Sequence, residues 1–119
     1  MNLESVRKYC MGLPHTTETV QWGGDLVFKV GGKMYAVAAL EPRHLQPGDH
    51  WLSFKCSPED FAELVEREGV IPAPYLARAQ WVALHTEDAV KPAELKQLLR
   101  QAYDLVFARL TKKAQRELA

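Results

Sequence analysis

The stretch Val27–Leu40, VFKVGGKMYAVAAL, decides the fold. Two runs of β-branched and aromatic residues flank Gly31-Gly32, and glycine supplies the positive φ that a two-residue hairpin turn demands. With the glycines as the loop, Val30 faces Lys33, Phe28 faces Tyr35 and Leu26 faces Val37. One side of the ribbon then carries Leu26, Phe28, Val30, Lys33, Tyr35 and Val37. The other carries Val27, Lys29, Met34, Ala36 and Ala38. The first side is larger and more aromatic, so it is expected to face the core. Lys29 and Lys33 fall on opposite sides.

Outward from the hairpin, the chain punctuates itself clearly. Asn2 is a cap for a first helix whose apolar positions Leu3, Val6, Cys10 and Leu13 follow helical spacing, with Gly12 and Pro14 ending it. Thr19–Trp22 reads as a short strand, turned into the hairpin by Gly23-Gly24-Asp25. Glu41–His50 is a polar loop marked by Pro42, Pro47 and Gly48. Trp51–Cys56 alternates as a strand, and Ser57-Pro58-Glu59-Asp60 is a helix start, with a hydroxyl cap, proline in the first turn and two acids on the dipole. That helix is expected to run to Gly69 with an acidic, solvated face. Ile71-Pro72-Ala73-Pro74 cannot be helical, because each proline pushes its predecessor into extended geometry. A turn of helix at Leu76–Ala79 and a strand at Trp81–Leu84 follow. Pro92 opens one long C-terminal helix with a stripe at Leu95, Leu98, Leu99, Ala102, Leu105, Val106 and Leu110, and its end is basic. The order helix, three or four strands, helix, strand, helix predicts an α+β fold, an antiparallel sheet with helices on one face. The short connections disfavour the crossovers of a doubly wound sheet.

Composition narrows the function classes. The 119 residues fit one domain, 1–119, and are 47% hydrophobic with three tryptophans, as in a globular core. Lys+Arg and Asp+Glu both number 15, so binding to nucleic acid must rest on a local patch rather than on net charge. Cys10 and Cys56 form no C-x-x-C pair and read as buried thiols in a reducing compartment. The start MNLESVRKYC lacks a long apolar run, and no stretch of about 20 apolar residues occurs. A cytoplasmic protein without membrane contact is expected.

No motif points to catalysis. Ser5, Ser53 and Ser57 lack a G-x-S-x-G setting. His15, His44, His50 and His85 show no metal-ligand spacing, and neither glycine pair makes a phosphate loop. His44, Asp49 and His50 share a loop that reads as solvated. The expectation is a non-enzymatic protein with no cofactor and no metal.

The chain resembles the MmcQ/YjbR family of small bacterial proteins over nearly its whole length. The resemblance is carried by Glu18 with Trp22-Gly23, by Val27-Phe28-Lys29-Val30-Gly31-Gly32-Lys33-Met34-Tyr35-Ala36, and by Leu52-Ser53-Phe54-Lys55-Cys56. Pro72-Ala73-Pro74-Tyr75-Leu76, Trp81-Val82 and Ala102-Tyr103-Asp104-Leu105-Val106 complete it. The family often has serine where this chain has Ala102, so a hydroxyl role there is lost. The resemblance implies a frataxin-like α+β sandwich and DNA binding through paired hairpins, a "double wing". A frataxin-like iron role would need clustered carboxylates on the first helix, where only Glu4 stands.

A wing would set lysines against phosphates. The candidates are Lys29, Lys33 and Lys55 on strands or at the hairpin tip, Arg43 in the adjacent loop, and Arg78 beside Trp81. Duplex DNA is the expected partner. The competing reading makes these solvated lysines that discourage edge pairing, in a protein-interaction module whose features are the long C-terminal helix and Pro72–Leu76, with Tyr75 as aromatic anchor. Trp22, Trp51 and Trp81 read as core rather than as stacking platforms. A monomer is expected.

Overall fold

The computed structural model describes residues 1–41 and 49–118; Arg43 and His44 lie outside them. Helix α1 spans Leu3–Met11, capped by a reciprocal pair in which Asn2 accepts from the Ser5 amide and Ser5 accepts from the Asn2 amide. Replacing such a cap costs about 1 kcal/mol. The strands are β1 (Thr17–Gln21), β2 (Asp25–Val30), β3 (Lys33–Ala39), β4 (Leu52–Lys55), β5 (Val70–Pro72) and β6 (Trp81–Leu84). They form one antiparallel sheet in the order β1-β2-β3-β4-β6-β5. Helix α2 (Pro58–Leu64) starts on the Ser57 cap, and α3 (Pro92–Arg109) supplies most of the helical side of the core.

Facing residues across the sheet form continuous rows. Phe28, Ala36, Phe54 and Val82 make one, and Leu26, Ala38, Leu52 and Leu84 the next, all buried against Val6 and Cys10 of α1, Leu64 of α2 and the α3 stripe. The opposite side of the sheet is covered in part by 73–80, where Ala73 and Leu76 pack on Trp81, Ala83, Val37 and Met34. Residues 77–79 form a single 3-10 turn there.

The hairpin register departs from the simple one. Val30 faces Lys33 as predicted, but Lys29 pairs with Met34 and Phe28 with Ala36, so Tyr35 is an extra residue in β3. A bulge of this kind reverses the alternation beyond it. Tyr35 and Ala36 therefore both face the core, Ala38 follows them, and Val37 joins Met34 on the far side. The expectation that Val37 lies in the core and Ala36 and Ala38 opposite is corrected accordingly. Lys33, assigned to the core side, sits exposed at the tip.

Two more corrections have local causes. Helix α2 ends at Leu64, short of Gly69, and Val70–Pro72 becomes the edge strand β5, where the missing proline N–H costs no ladder bond. The C-terminal helix breaks at Leu110, whose ψ of 155° is extended; Thr111 then accepts from the Ala114 amide and starts α4 (Lys112–Leu118). Gln115 folds back to donate to the carbonyls of Phe107 and Leu110. The break leaves Leu110 against the hairpin turn, where a methyl on Gly31 would stand 2.5 Å from a Leu110 methyl.

Gly31 (φ 58°) and Gly32 (φ 79°) are both left-handed, but only Gly31 touches Leu110. Gly32→Ala is expected to cost about 1 kcal/mol from backbone strain alone, and Gly31→Ala about 1 kcal/mol more from overpacking. Urea unfolding of the two variants measures the difference; equal losses would mean that the hairpin tip does not rest on the α3–α4 junction.

Candidate nucleic-acid interface

The strand pairings sort the charged side chains by end. The β2–β3 tip, the end of β4, the start of β6 and the end of α3 all meet at one end of the sheet, since Val30 faces Lys33, Lys55 faces Trp81, and Gly31 lies on Leu110. This end carries Lys29, Lys33, Lys55, Arg78, Arg109, Lys112 and Lys113, with Glu59 and Asp60 in the first turn of α2. The opposite end carries the β1–β2 turn, the β6–α3 connection and the start of α3, with Asp25, Glu87, Asp88 and Glu94 against Lys91. A chain of zero formal charge is thus polarised along its strands.

Three arginines in the body of the fold are paired. Arg7 forms a forked contact with Glu18 (2.6 Å at the closer nitrogen), Arg67 bridges Glu63 and Glu94 (2.7 Å each), and Arg100 meets Asp104 at 3.2 Å. These bonds raise the pKa of Arg7 and Arg67 and hold Glu18 and Glu94 below the usual carboxylate range. Among the described residues, Lys29, Lys33, Arg78, Arg109, Lys112 and Lys113 form no ion pair, and neither do Lys8, Lys91, Lys96 and Arg116. Arginines in the body of the fold are neutralised; those at the cationic end are left to solvent.

The sequence candidates separate on this geometry. Lys29 is half-buried on the far side of the sheet in line with Thr17 and Met34, and Lys33 is exposed at the tip, so the two straddle the turn. Arg78 is exposed on the 3-10 turn. Lys55 is 7% exposed, and its ammonium donates to the Ala79 carbonyl at 2.6 Å. Burial and then the nearby charge of Arg109 lower its pKa. Lys55 therefore pins the 3-10 turn to the sheet and is not free to meet a phosphate. Arg43 lies outside the described residues. The sequence reading missed Arg109, Lys112 and Lys113 as members of the patch. Their signal was present as a basic C-terminal stretch, but only the break at Leu110 brings it to the hairpin.

The tryptophans divide likewise. Trp51 is buried and donates its indole N–H to the Thr86 carbonyl at 2.8 Å, and Trp81 is buried beneath Ala73. Trp22 is 64% exposed in the β1–β2 turn, at the end away from the cations. Cys10 and Cys56 are buried, and burial pushes their thiols up to about 12 and about 11. Among the described residues no three His, Cys, Asp or Glu side chains gather to hold a metal, and no helix is long and apolar enough to cross a membrane.

The YjbR family model matches residues 11–105, most of the chain and all of the sheet. The chain belongs to the YjbR family. The crystal structure of the Deinococcus radiodurans protein DR2400, described as holding a DUF419 domain, superposes with a TM-score of 0.82 at 32% identity, covering 98% of this chain and 87% of that one. A Pseudomonas syringae protein shares the fold at 20% identity, with a TM-score of 0.68, over 88% of this chain and 98% of its own. No curated protein matches the chain. The match to the family takes in the hairpin and Arg78 but stops before Arg109, so the α3–α4 cations belong to the part of this chain outside it.

Glu18, Glu94 and Asp88 are all held below the ordinary carboxylate range, Asp88 by the Thr86 hydroxyl. The folded state then binds fewer protons than the unfolded chain, so stability is full above that range and falls as pH drops through it. Glu18→Gln is expected to give a shallower acid-side decline in urea midpoint between about pH 6 and about pH 3; curves parallel to the wild type would mean that the Arg7–Glu18 contact contributes nothing.

Proposed function

We propose that this protein is a non-enzymatic nucleic-acid-binding protein that grips the phosphate backbone of DNA with its cationic end. The observation that carries the reading is the meeting of unpaired cations from three separate segments, the β2–β3 tip, the 3-10 turn and the α3–α4 junction. Each is free of the ion pairs that neutralise arginines elsewhere. Lysines on the two sides of the tip suit a wing that lies along a groove and touches both of its phosphate walls. Such contacts position a protein without reading sequence, so the affinity is modest and strongly salt-dependent.

A second reading, a protein-interaction module, draws on the opposite end. Val20 (63% exposed) and Trp22 stand out on edge strand β1 and its turn. That surface is apolar but small, and the Arg7–Glu18 ion pair lies two residues from Val20 along β1.

Fluorescence anisotropy with a labelled duplex tests the first reading. About four phosphate contacts predict a slope near −4 for log affinity against log salt. Lys33→Ala and Lys113→Ala are each expected to weaken binding and to flatten that slope by about 1. Lys91→Ala, at the far end, is expected to leave both unchanged. Absence of binding at low salt, or equal losses from all three variants, would refute the assignment.

A further inference from the structure

Tyr75 is the most exposed large hydrophobic residue of the described fold, at 105% relative exposure, and its backbone is left-handed with φ 64°. That conformation is unfavourable for a bulky residue. Its neighbours nevertheless fix it. Pro72 ends β5; the Ala73 amide donates to the Trp81 carbonyl at 3.0 Å; the Leu76 amide donates to the Ala73 carbonyl at 3.1 Å; and the Trp81 amide closes on the Leu76 carbonyl at 3.3 Å. Ala73 is buried and Leu76 packs on the far-side cluster. The loop is held at both feet while its aromatic ring is turned out to water. Strain of this kind, over-determined by its surroundings, clusters at ligand sites.

The place of this ring matters as much as its exposure. The β5–β6 pairing carries the chain past Trp81, so Tyr75 leaves the sheet at the same end as Lys55 and the hairpin tip, three residues before Arg78. Among the described residues no aromatic partner stacks on it, whereas Tyr103 is engaged by both Tyr35 and Phe107. A flat, rigid ring beside unpaired cations offers one face to a planar group attached to a phosphate.

We propose that Tyr75 is a stacking platform for an unpaired nucleobase, so that the cationic end prefers nucleic acid with accessible bases over closed duplex. This rests on the phosphate-binding reading above and adds the base contact to it. Bases inside a duplex have both faces covered by their neighbours, so a protruding tyrosine reaches them only in single strands, bulges or ends. Stacking is sequence-tolerant because every base has a π-face. The two prolines and the pinned loop mean that little backbone freedom is lost on binding.

Anisotropy titrations with oligothymidine of about 15 nucleotides, the matching duplex, and an abasic strand of equal length separate the terms. Wild type is expected to bind oligothymidine tighter than duplex. Tyr75→Ala is expected to lose roughly 5- to 150-fold on oligothymidine, with no change on duplex or on the abasic strand. Tyr75→Phe is expected to keep wild-type affinity, since the ring face and not the hydroxyl makes the contact. Oligouridine run alongside shows whether DNA or RNA is the tighter source of the same base face. Tyr75→Gly, which relieves the left-handed strain, is expected to melt higher than wild type while losing the strand preference, so a binding defect cannot be ascribed to unfolding. Salt-dependent duplex binding with no preference for oligothymidine, or equal loss in Tyr75→Ala on all strands, overturns the stacking role alone. No binding to any strand at low salt overturns both readings.

Discussion

Tyr35 is the residue that β3 carries in excess of β2, and the packing of the helices depends on where that excess residue goes. Its hydroxyl lies 2.9 Å from Thr16 Oγ1 and donates to the Cys10 carbonyl at 3.4 Å, while its ring meets Tyr103 of α3 edge-on at 5.6 Å. Tyr103 in turn donates to the Pro14 carbonyl at 2.7 Å. One buried bulge thereby ties the sheet to the end of α1, to the loop after it and to α3. A buried hydroxyl left without partners would cost about 1–3 kcal/mol, so these bonds fix the register as firmly as the apolar contacts do. Beyond the bulge, Ala36 and Ala38 turn inward, and their small side chains form the floor on which α3 lies.

The cationic end follows from this arrangement. With α3 seated on β3, its last turn reaches the hairpin tip, and Leu110 settles on Gly31. Lysines and arginines distant in sequence then share a surface, while Glu18, Glu63 and Glu94 are taken up by Arg7 and Arg67. Net charge conceals this, because a polarised molecule and an evenly mixed one sum to the same zero. Lys55 shows the converse: a cation in the right region contributes nothing to the surface when burial directs its ammonium to a carbonyl.

Local signals in the sequence were legible where one residue type has one physical use. Gly31-Gly32 turned the hairpin, Ser57-Pro58 started α2, Asn2 capped α1, and the Trp81–Leu84 run formed its strand. The bulge was not legible, because nothing in Met34-Tyr35-Ala36 distinguishes an extra residue from a paired one until Thr16 and Cys10 are present to receive the tyrosine hydroxyl. The break at Leu110 was hidden by an apolar stripe that continues in phase through it, although Thr111 is a capping residue. Strand β5 was hidden by Pro72, which is admissible only at an edge. Lys29, Lys33 and Arg78 were named from the sequence and lie at one end. Arg109, Lys112 and Lys113 required the fold, and Lys55 was misjudged because its exposure depends on a turn more than twenty residues away in sequence.

Amide chemical-shift mapping by NMR during titration with a short DNA at low salt tests the central claim most directly. Binding through the cationic end predicts perturbations confined to Lys29–Lys33, Tyr75–Arg78 and Arg109–Lys113, fading together as salt is added. Perturbations centred on Trp22–Asp25 and Glu87–Asp88, or none at any concentration, would contradict it.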